Sequence, residues 1–306
     1  MSALLRVTNL GVRFRLRDAV VQAVTDLDLT VRRGELLAVV GESGCGKSVL
    51  AHALLGLLPA NATVTGYAHL GTVDLLGCGE KRLAREVRGR QIGLVPQSPA
   101  TALTPVRTGR SLLAETLRAY GRDPGKAGEL AADAGLPAAD LDRYPFQLSG
   151  GMAQRLVTAL ALAGDPPLLI ADEPTTGLDR PLVDHTLDLL RRRCDNGSAV
   201  LLITHDLAAA ERVADTVAVM YASRIVEHRP AAQVFGRPGH PYTAALLDAL
   251  PGRAFRPIPG HPPMLTALPS GCAFAARCPR VSEVCGSQPA GDVACHHPIA
   301  VPEVVS

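Results

Sequence analysis

The sequence predicts an α/β protein with a parallel sheet at its centre, a helical block set into it and a cysteine-rich extension behind it. Three observations carry this. The run ELLAVV leads into a glycine loop and then an amphipathic helix. Three further apolar runs, PLLIADEP, AVLLITHD and TVAVMYAS, are separated by helical segments, the alternation expected of a parallel sheet. Between those two halves, residues 98–163 are helical in pattern (SLLAETLRAY, AQRLVTALALA).

In chain order, LLRVTNL, VRFRL, AVVQAV and LDLTV read as short strands, and ELLAVV as a strand buried on both faces. VLAHALLGLLP places Leu50, Leu54, Leu57 and Leu58 on one helical stripe that Pro59 ends. TVTGYAHL and QIGLVPQ return to strand. Beyond Arg229 the chain becomes rich in Pro, Gly, His and Cys, with TAALLDAL as its one helical candidate. No repeat or low-complexity tract is present.

Composition narrows the function classes. The 306 residues fit one or two domains at roughly 150 residues each. Thirty-one basic against 29 acidic residues leave +2, which gives nucleic acid no electrostatic claim as the main partner. Arg6 interrupts the N-terminal apolar stretch, unlike a signal peptide, and no run approaches the about 18 apolar residues of a membrane span. The expectation is a soluble, cytoplasmic chain. Seven cysteines, an odd number, without a secretion signal argue against a disulfide framework.

The strongest chemical signal is GESGCGKS, Gly41 to Ser48. Gly41, Gly44 and Gly46 allow backbone N–H groups to turn toward phosphate oxygens, with Glu42, Ser43 and Cys45 completing the cradle. The following helix points its positive end at the same anion. Lys47, one of only three lysines in the chain, would neutralise the β- and γ-phosphates, and Ser48 would ligate Mg²⁺. Cys45 reads as a tolerated small residue or, less simply, a redox sensor. A second signal is PLLIADEP, whose Asp172 and Glu173 emerge at the C-terminal edge of a buried strand, where ligands bind in open parallel sheets. Asp172 would hold Mg²⁺ through water, and Glu173 would deprotonate the attacking water. The third is LSGGMAQR, in which Ser149, Gly150 and Gly151 open a helix and form a second anion-binding terminus. One nucleotide has one γ-phosphate, so this second site is best explained by a nucleotide carried on another subunit.

With these motifs the chain resembles the ATP-binding subunits of ABC transporters, most closely those of oligopeptide, dipeptide and nickel importers. The resemblance implies a P-loop NTPase (RecA-like) core with an N-terminal antiparallel β-subdomain, an inserted α-helical subdomain and a Cys-rich C-terminal extension. It places the nucleotide-binding domain at 1–228 and the extension at 229–306. It implies that Gln97 senses Mg²⁺ and the attacking water, that Asp179 in TTGLD lies on the loop crossing a dimer interface, and that His205 contacts the γ-phosphate. Val49 stands where a second hydroxyl residue is usual, and Met152 where many relatives outside this branch have Gln. Phe14 is the only aromatic before the phosphate loop; it could stack on adenine or belong to the core.

The implied partners are two transmembrane permeases, a second ATPase of the same or a different kind, and an extracytoplasmic substrate-binding protein. The implied location is peripheral, on the cytoplasmic face of the membrane. Rivals are an exporter cassette, a non-transport ABC ATPase and a P-loop kinase. Only 51 residues (98–148) separate Gln97 from Ser149, too few for the coiled coil of repair members, and LSGGMAQR with His205 argues against a kinase. Finally, Cys272, Cys278, Cys285 and Cys295 fall within 24 residues. Four thiolates suit a [4Fe–4S] cluster or Zn²⁺, with His296 or His297 able to replace one; reduced thiols without metal are the remaining alternative. The spacing lacks the close Cys-x2-Cys pairs common at zinc sites, and the importer branch includes members with a four-iron cluster.

Overall fold

The computed structural model describes residues 2–299; Met1 and residues 300–306, the end of the expected extension, lie outside them. The described strands are β1 (Ala3–Arg15), β2 (Val20–Arg32), β3 (Leu36–Val40), β4 (Ala62–Leu70), β5 (Val73–Asp74), β6 (Ile92–Val95), β7 (Leu168–Asp172), β8 (Ala199–Thr204), β9 (Thr216–Tyr221) and β10 (Arg224–Pro230). The helices are α1 (Lys47–Leu54), α2 (Glu80–Arg82), α3 (Pro99–Ala102), α4 (Gly109–Ala119), α5 (Ala127–Asp133), α6 (Gly150–Leu162), α7 (Arg180–Asp195), α8 (Leu207–Val213), α9 (Ala231–Gly236) and α10 (Pro241–Asp248). They form two compact units.

The first unit holds residues 2–4, Val31–Leu36 and Gly77–Ile203. Its strands β6, β7 and β8 are parallel, with Ile92 opposite Leu168 and Ile170 opposite Leu201. Every residue of β7 and β8 is buried, which is why these strands are continuous apolar runs rather than alternating ones. Between β6 and β7 the chain is helical, and α6 buries Leu156, Val157 and Leu162. Arg155 ties this helix to its surroundings, donating to the carbonyls of Gly151 (3.1 Å) and Gly135 (3.0 Å).

The second unit holds Leu5–Thr30, Leu37–Leu76 and the chain from Thr204. A four-stranded sheet runs β2-β1-β4-β5, with the β1–β4 and β4–β5 pairs antiparallel. Here the four short strands expected before the glycine loop are two long ones. Asn9 and Asp26 adopt left-handed backbones (φ 49° and 48°), and the β1–β4 register shifts between Thr8 and Gly11. The shift brackets Asn9 and is a bulge, which bends a strand without ending it; in sequence both residues look like breaks. In the same unit β3 pairs parallel with β9, and β9 pairs antiparallel with β10.

Two other expectations change. Helix α1 stops at Leu54 rather than running to Pro59, because Gly56 takes φ 63° and its N–H bonds to the Ala53 carbonyl (3.1 Å). Leu57, expected on the buried stripe, is consequently exposed. Beyond Arg229 the described residues form two α-helices, α9 as well as α10. The tail then returns to β10, where Ala294 N–H bonds to Val226 O (2.9 Å) and His228 N–H to Asp292 O (2.7 Å). No helix among the described residues is long and apolar enough to cross a membrane.

Candidate functional site

The phosphate-loop residues sit at the end of β3, all five residues of which are buried. Gly46 has φ 110°, and a Cβ there would strike the Ala23 carbonyl oxygen, with the Met220 methyl at 2.8 Å. At Gly41 a Cβ would run into the Met220 carbonyl. Both positions therefore demand glycine on grounds of space. Lys47 is 7% exposed. Its ammonium donates to the carbonyls of Gly41 (2.8 Å) and Glu42 (3.0 Å) and lies 3.8 Å from Cys45 Sγ. A cation is thus fixed inside a ring of backbone dipoles at a helix N-terminus, a place suited to polyphosphate. Burial pushes the Cys45 thiol up, against a weaker downward pull from Lys47. That direction favours the tolerated small residue over a sensor poised as thiolate.

Ser43 and Gly44 are exposed on the loop, and Ser48 and Val49 are half-buried on the first turn of α1. Phe14, opposite Ala62 in the β1–β4 pair, is half-buried. His205 follows β8 directly and is exposed. The next residue, Asp206, caps α8 by accepting from Ala209 N–H (3.0 Å).

The first unit carries the other candidates. Asp172 ends β7 and Glu173 follows it; both are buried. Glu173 has a left-handed backbone (φ 50°) and its N–H donates to Ile203 O (2.8 Å). A non-glycine residue in that region costs about 1–2 kcal/mol, and such strain gathers at functional positions. Gln97 is exposed just beyond β6. Ser149 caps α6, its Oγ accepting from Met152 N–H (3.3 Å), and Ser149 and Gly150 are exposed. Asp179 caps α7 through Leu182 N–H (3.3 Å). Glu173 is close along the chain to Asp179, and the two ends of that loop are fixed by β7 and by this cap.

In the tail, Cys272 N–H bonds to Cys285 O (3.0 Å). Burial raises the Cys272 thiol, and the other three tail cysteines are near enough to raise it further. Burial likewise raises Cys295, with Cys278 and Cys285 adding to it. Three of the four sulfurs accept a backbone N–H from the residue two positions on: Cys272 from Phe274, Cys278 from Arg280 (3.4 Å) and Cys295 from His297 (3.3 Å). As placed, no three Cys, His, Asp or Glu side chains among the described residues form a group able to hold a metal ion. His296 and His297 bond to serines instead, Ser287 and Ser282.

Sequence reasoning missed Tyr242 and Arg277, which both bond to Glu42 in the phosphate loop (3.1 and 3.0 Å). They lie 200 and 235 residues away, beyond the reach of any local pattern.

Comparison with known proteins agrees with these motifs. A family model described as ABC transporter matches residues 24–176, and one described as Oligopeptide/dipeptide transporter, C-terminal region, matches 226–285. The oligopeptide transport ATP-binding protein OppD of Mycobacterium bovis is 43% identical over 300 residues, covering 93% of this chain and 49% of its own length. The chain thus spans about half of that mycobacterial relative. OppD of Salmonella typhimurium is 41% identical over 301 residues, covering 94% of this chain and 90% of its own. Among solved structures, the dimeric ATP-binding cassette MJ0796 bound to ADP and Pi matches with a TM-score of 0.68 at 24% identity, over 74% of this chain and 98% of that one, a likeness of fold. The chain belongs to the ABC transporter ATP-binding family, in the branch marked by the oligopeptide/dipeptide transporter C-terminal region.

Proposed function

We propose that this chain binds and hydrolyses ATP to energise an importer for peptides, nickel or a related small ligand. The observation that carries the reading is the loop at residues 41–48, where two glycines that tolerate no side chain surround a buried lysine ammonium. Gly41, Glu42, Ser43, Gly44, Cys45, Gly46, Lys47, Ser48 and Val49 would cradle the phosphates, and Phe14 would stack on the base. Ser48, Gln97 and Asp172 would hold Mg²⁺, which neutralises phosphate charge when bound. Glu173 is the general base, His205 contacts the γ-phosphate, and Ser149, Gly150, Gly151 and Asp179 serve a nucleotide held by a second ATPase subunit.

The partners in this reading are two permeases, that second ATPase and an extracytoplasmic substrate-binding protein, with the chain peripheral on the cytoplasmic face. Residues 1–228 are the nucleotide-binding domain, 98–163 its helical subdomain, and 229–306 the extension. Exposed apolar side chains at Val106 (78%) and Phe146 (75%) support docking of permeases on segment 98–147. Glu173→Gln tests the assignment: it should bind ATP as the wild type does and lose turnover at least about a hundredfold, the range for removing a general base. Hydrolysis at the wild-type rate would sink Glu173 as the base.

The tail cysteines form the second part of the reading. Cys272, Cys278, Cys285 and Cys295 would hold a [4Fe–4S] cluster, with Zn²⁺ the alternative. Mutual proximity of the four thiols and the N–H groups aimed at three sulfurs support a four-thiolate donor set. The sulfurs would have to close in from their present separations. Protein purified without oxygen should be brown, with iron and acid-labile sulfide in equal amounts. Colourless protein with stoichiometric zinc would eliminate the cluster, and protein with neither would eliminate the site.

A further inference from the structure

Glu42 is the only acidic residue within GESGCGKS, and a carboxylate beside a polyphosphate opposes its binding. Arg277 meets that carboxylate with both of its terminal nitrogens, Nη1 to Oε2 (3.0 Å) and Nη2 to Oε1 (3.2 Å). The remaining donors are also engaged. Nε bonds to Pro259 O (2.8 Å), Nη1 also to Tyr221 Oη (3.1 Å), and Nη2 also to Ile258 O (3.4 Å). The guanidinium lies 5.7 and 5.9 Å from the ring centres of Tyr221 and Phe274, and the side chain is 5% exposed. All five N–H donors of a rigid fork are therefore committed, two of them to Glu42. The backbone of Glu42 is held as well, its N–H donating to Tyr242 Oη (3.1 Å). Burial keeps the Tyr242 phenol in its neutral form.

A buried ion pair is weak evidence for stability, since desolvation offsets most of its attraction. A gain elsewhere must justify burying Arg277. We propose that Arg277 is a positioning residue for nucleotide binding: it masks the Glu42 charge and, with Tyr242, fixes the loop's second residue, so that the C-terminal extension sets the loop's affinity for polyphosphate. The inference rests on reading Gly41–Ser48 as the phosphate site.

The test measures dissociation constants for MgATP and ADP on the full chain by calorimetry, with thermal unfolding run alongside. Arg277→Gln should weaken ATP about tenfold, the effect of about one charge-assisted interaction, and ADP by less because it carries less charge. Adding Glu42→Gln to that variant should restore most of the loss, and Arg277→Lys should restore part of it. Glu42→Gln alone should bind ATP more tightly than wild type, because Arg277 is then an unmatched cation beside the phosphates. If Arg277→Gln fails to fold, this opposite-sign result carries the test, and weaker binding by Glu42→Gln overturns the proposal. So does unchanged binding by a folded Arg277→Gln, or a loss equal for both nucleotides that Glu42→Gln does not relieve. Failure of the wild-type chain to bind ATP at all would bring down the phosphate-site reading, and this inference with it.

Discussion

Acidification should destabilise this chain through His240 in a window that can be stated in advance. Its imidazole is 1% exposed, and Nδ1 accepts the Tyr242 N–H (3.0 Å), capping α10. Burial lowers its pKa from 6.5 to about 4, with the Ala294 backbone opposing weakly. Glu227, whose carboxylate accepts the His240 N–H (2.9 Å), does not rescue the charged ring, because Arg229 already matches it (2.8 Å). The folded state thus favours neutral His240, while the unfolded chain takes up a proton near 6.5. Between those values the unfolded state binds more protons, so stability is complete above pH 6.5, declines as pH falls toward 4 and levels off below. The full difference amounts to about 3 kcal/mol. Urea unfolding at pH 7, 6, 5 and 4 on wild type and His240→Asn provides the assay, since Asn offers an acceptor oxygen but does not titrate. The gap between the two curves should close by about 3 kcal/mol from pH 7 to 4. Curves that stay parallel would refute the argument.

Gly46→Ala should lower stability by roughly 2 kcal/mol or more, since added bulk in a packed site costs about 1–3 and meets backbone at Ala23; Gly44→Ala, with open space around its Cβ, should cost about 1 for its backbone alone. Thermal unfolding checks the order, and equal losses would contradict it. Cys45, buried and with its thiol pushed up, should be alkylated more slowly than half-buried Cys78 in peptide-resolved mass spectrometry; the reverse order would show that the loop opens. Glu227→Ala should cost about 3–5 kcal/mol, because it strands Arg229 and leaves the Gly239 and His240 N–H groups without their acceptor; a loss under 1 kcal/mol would show that water takes over.

Much of this was legible in the sequence because the chemistry is local. A buried parallel strand must be apolar throughout, so β3, β7 and β8 stand out as runs. The glycine loop stands out because space at Gly41 and Gly46 admits nothing else. Where local and tertiary effects separate, the reading fails. Asn9 and Asp26 look like turn residues yet sit inside β1 and β2; at Asn9 the β1–β4 ladder resumes beyond the register shift between Thr8 and Gly11. Helix α9, AAQVFG, is too short for a period to show. The Arg277–Glu42 pair spans 235 residues and leaves no periodic trace.

One hydrogen-bond chain gives the C-terminal extension a physical reason to matter to the phosphate loop. Glu227 on β10 accepts from His240 N–H, His240 Nδ1 accepts from Tyr242 N–H, and Tyr242 Oη accepts from Glu42 N–H. Each link fixes the next: the buried carboxylate sets the start of α10, and the start of α10 sets where the Tyr242 ring lies. That ring stands 4.4 Å from Tyr221 and 5.4 Å from Phe274. Only ten of 306 residues are Phe or Tyr and none is Trp, so placing three of them here is a concentrated use of scarce material. Aromatic rings bury large area with few rotatable bonds, which suits a clamp that must not flex. They also keep water from the Arg277 guanidinium, strengthening its hold on Glu42. A chain that builds its core elsewhere from Leu, Val and Ala thus reserves rigidity for the segment that holds the loop's one acidic residue.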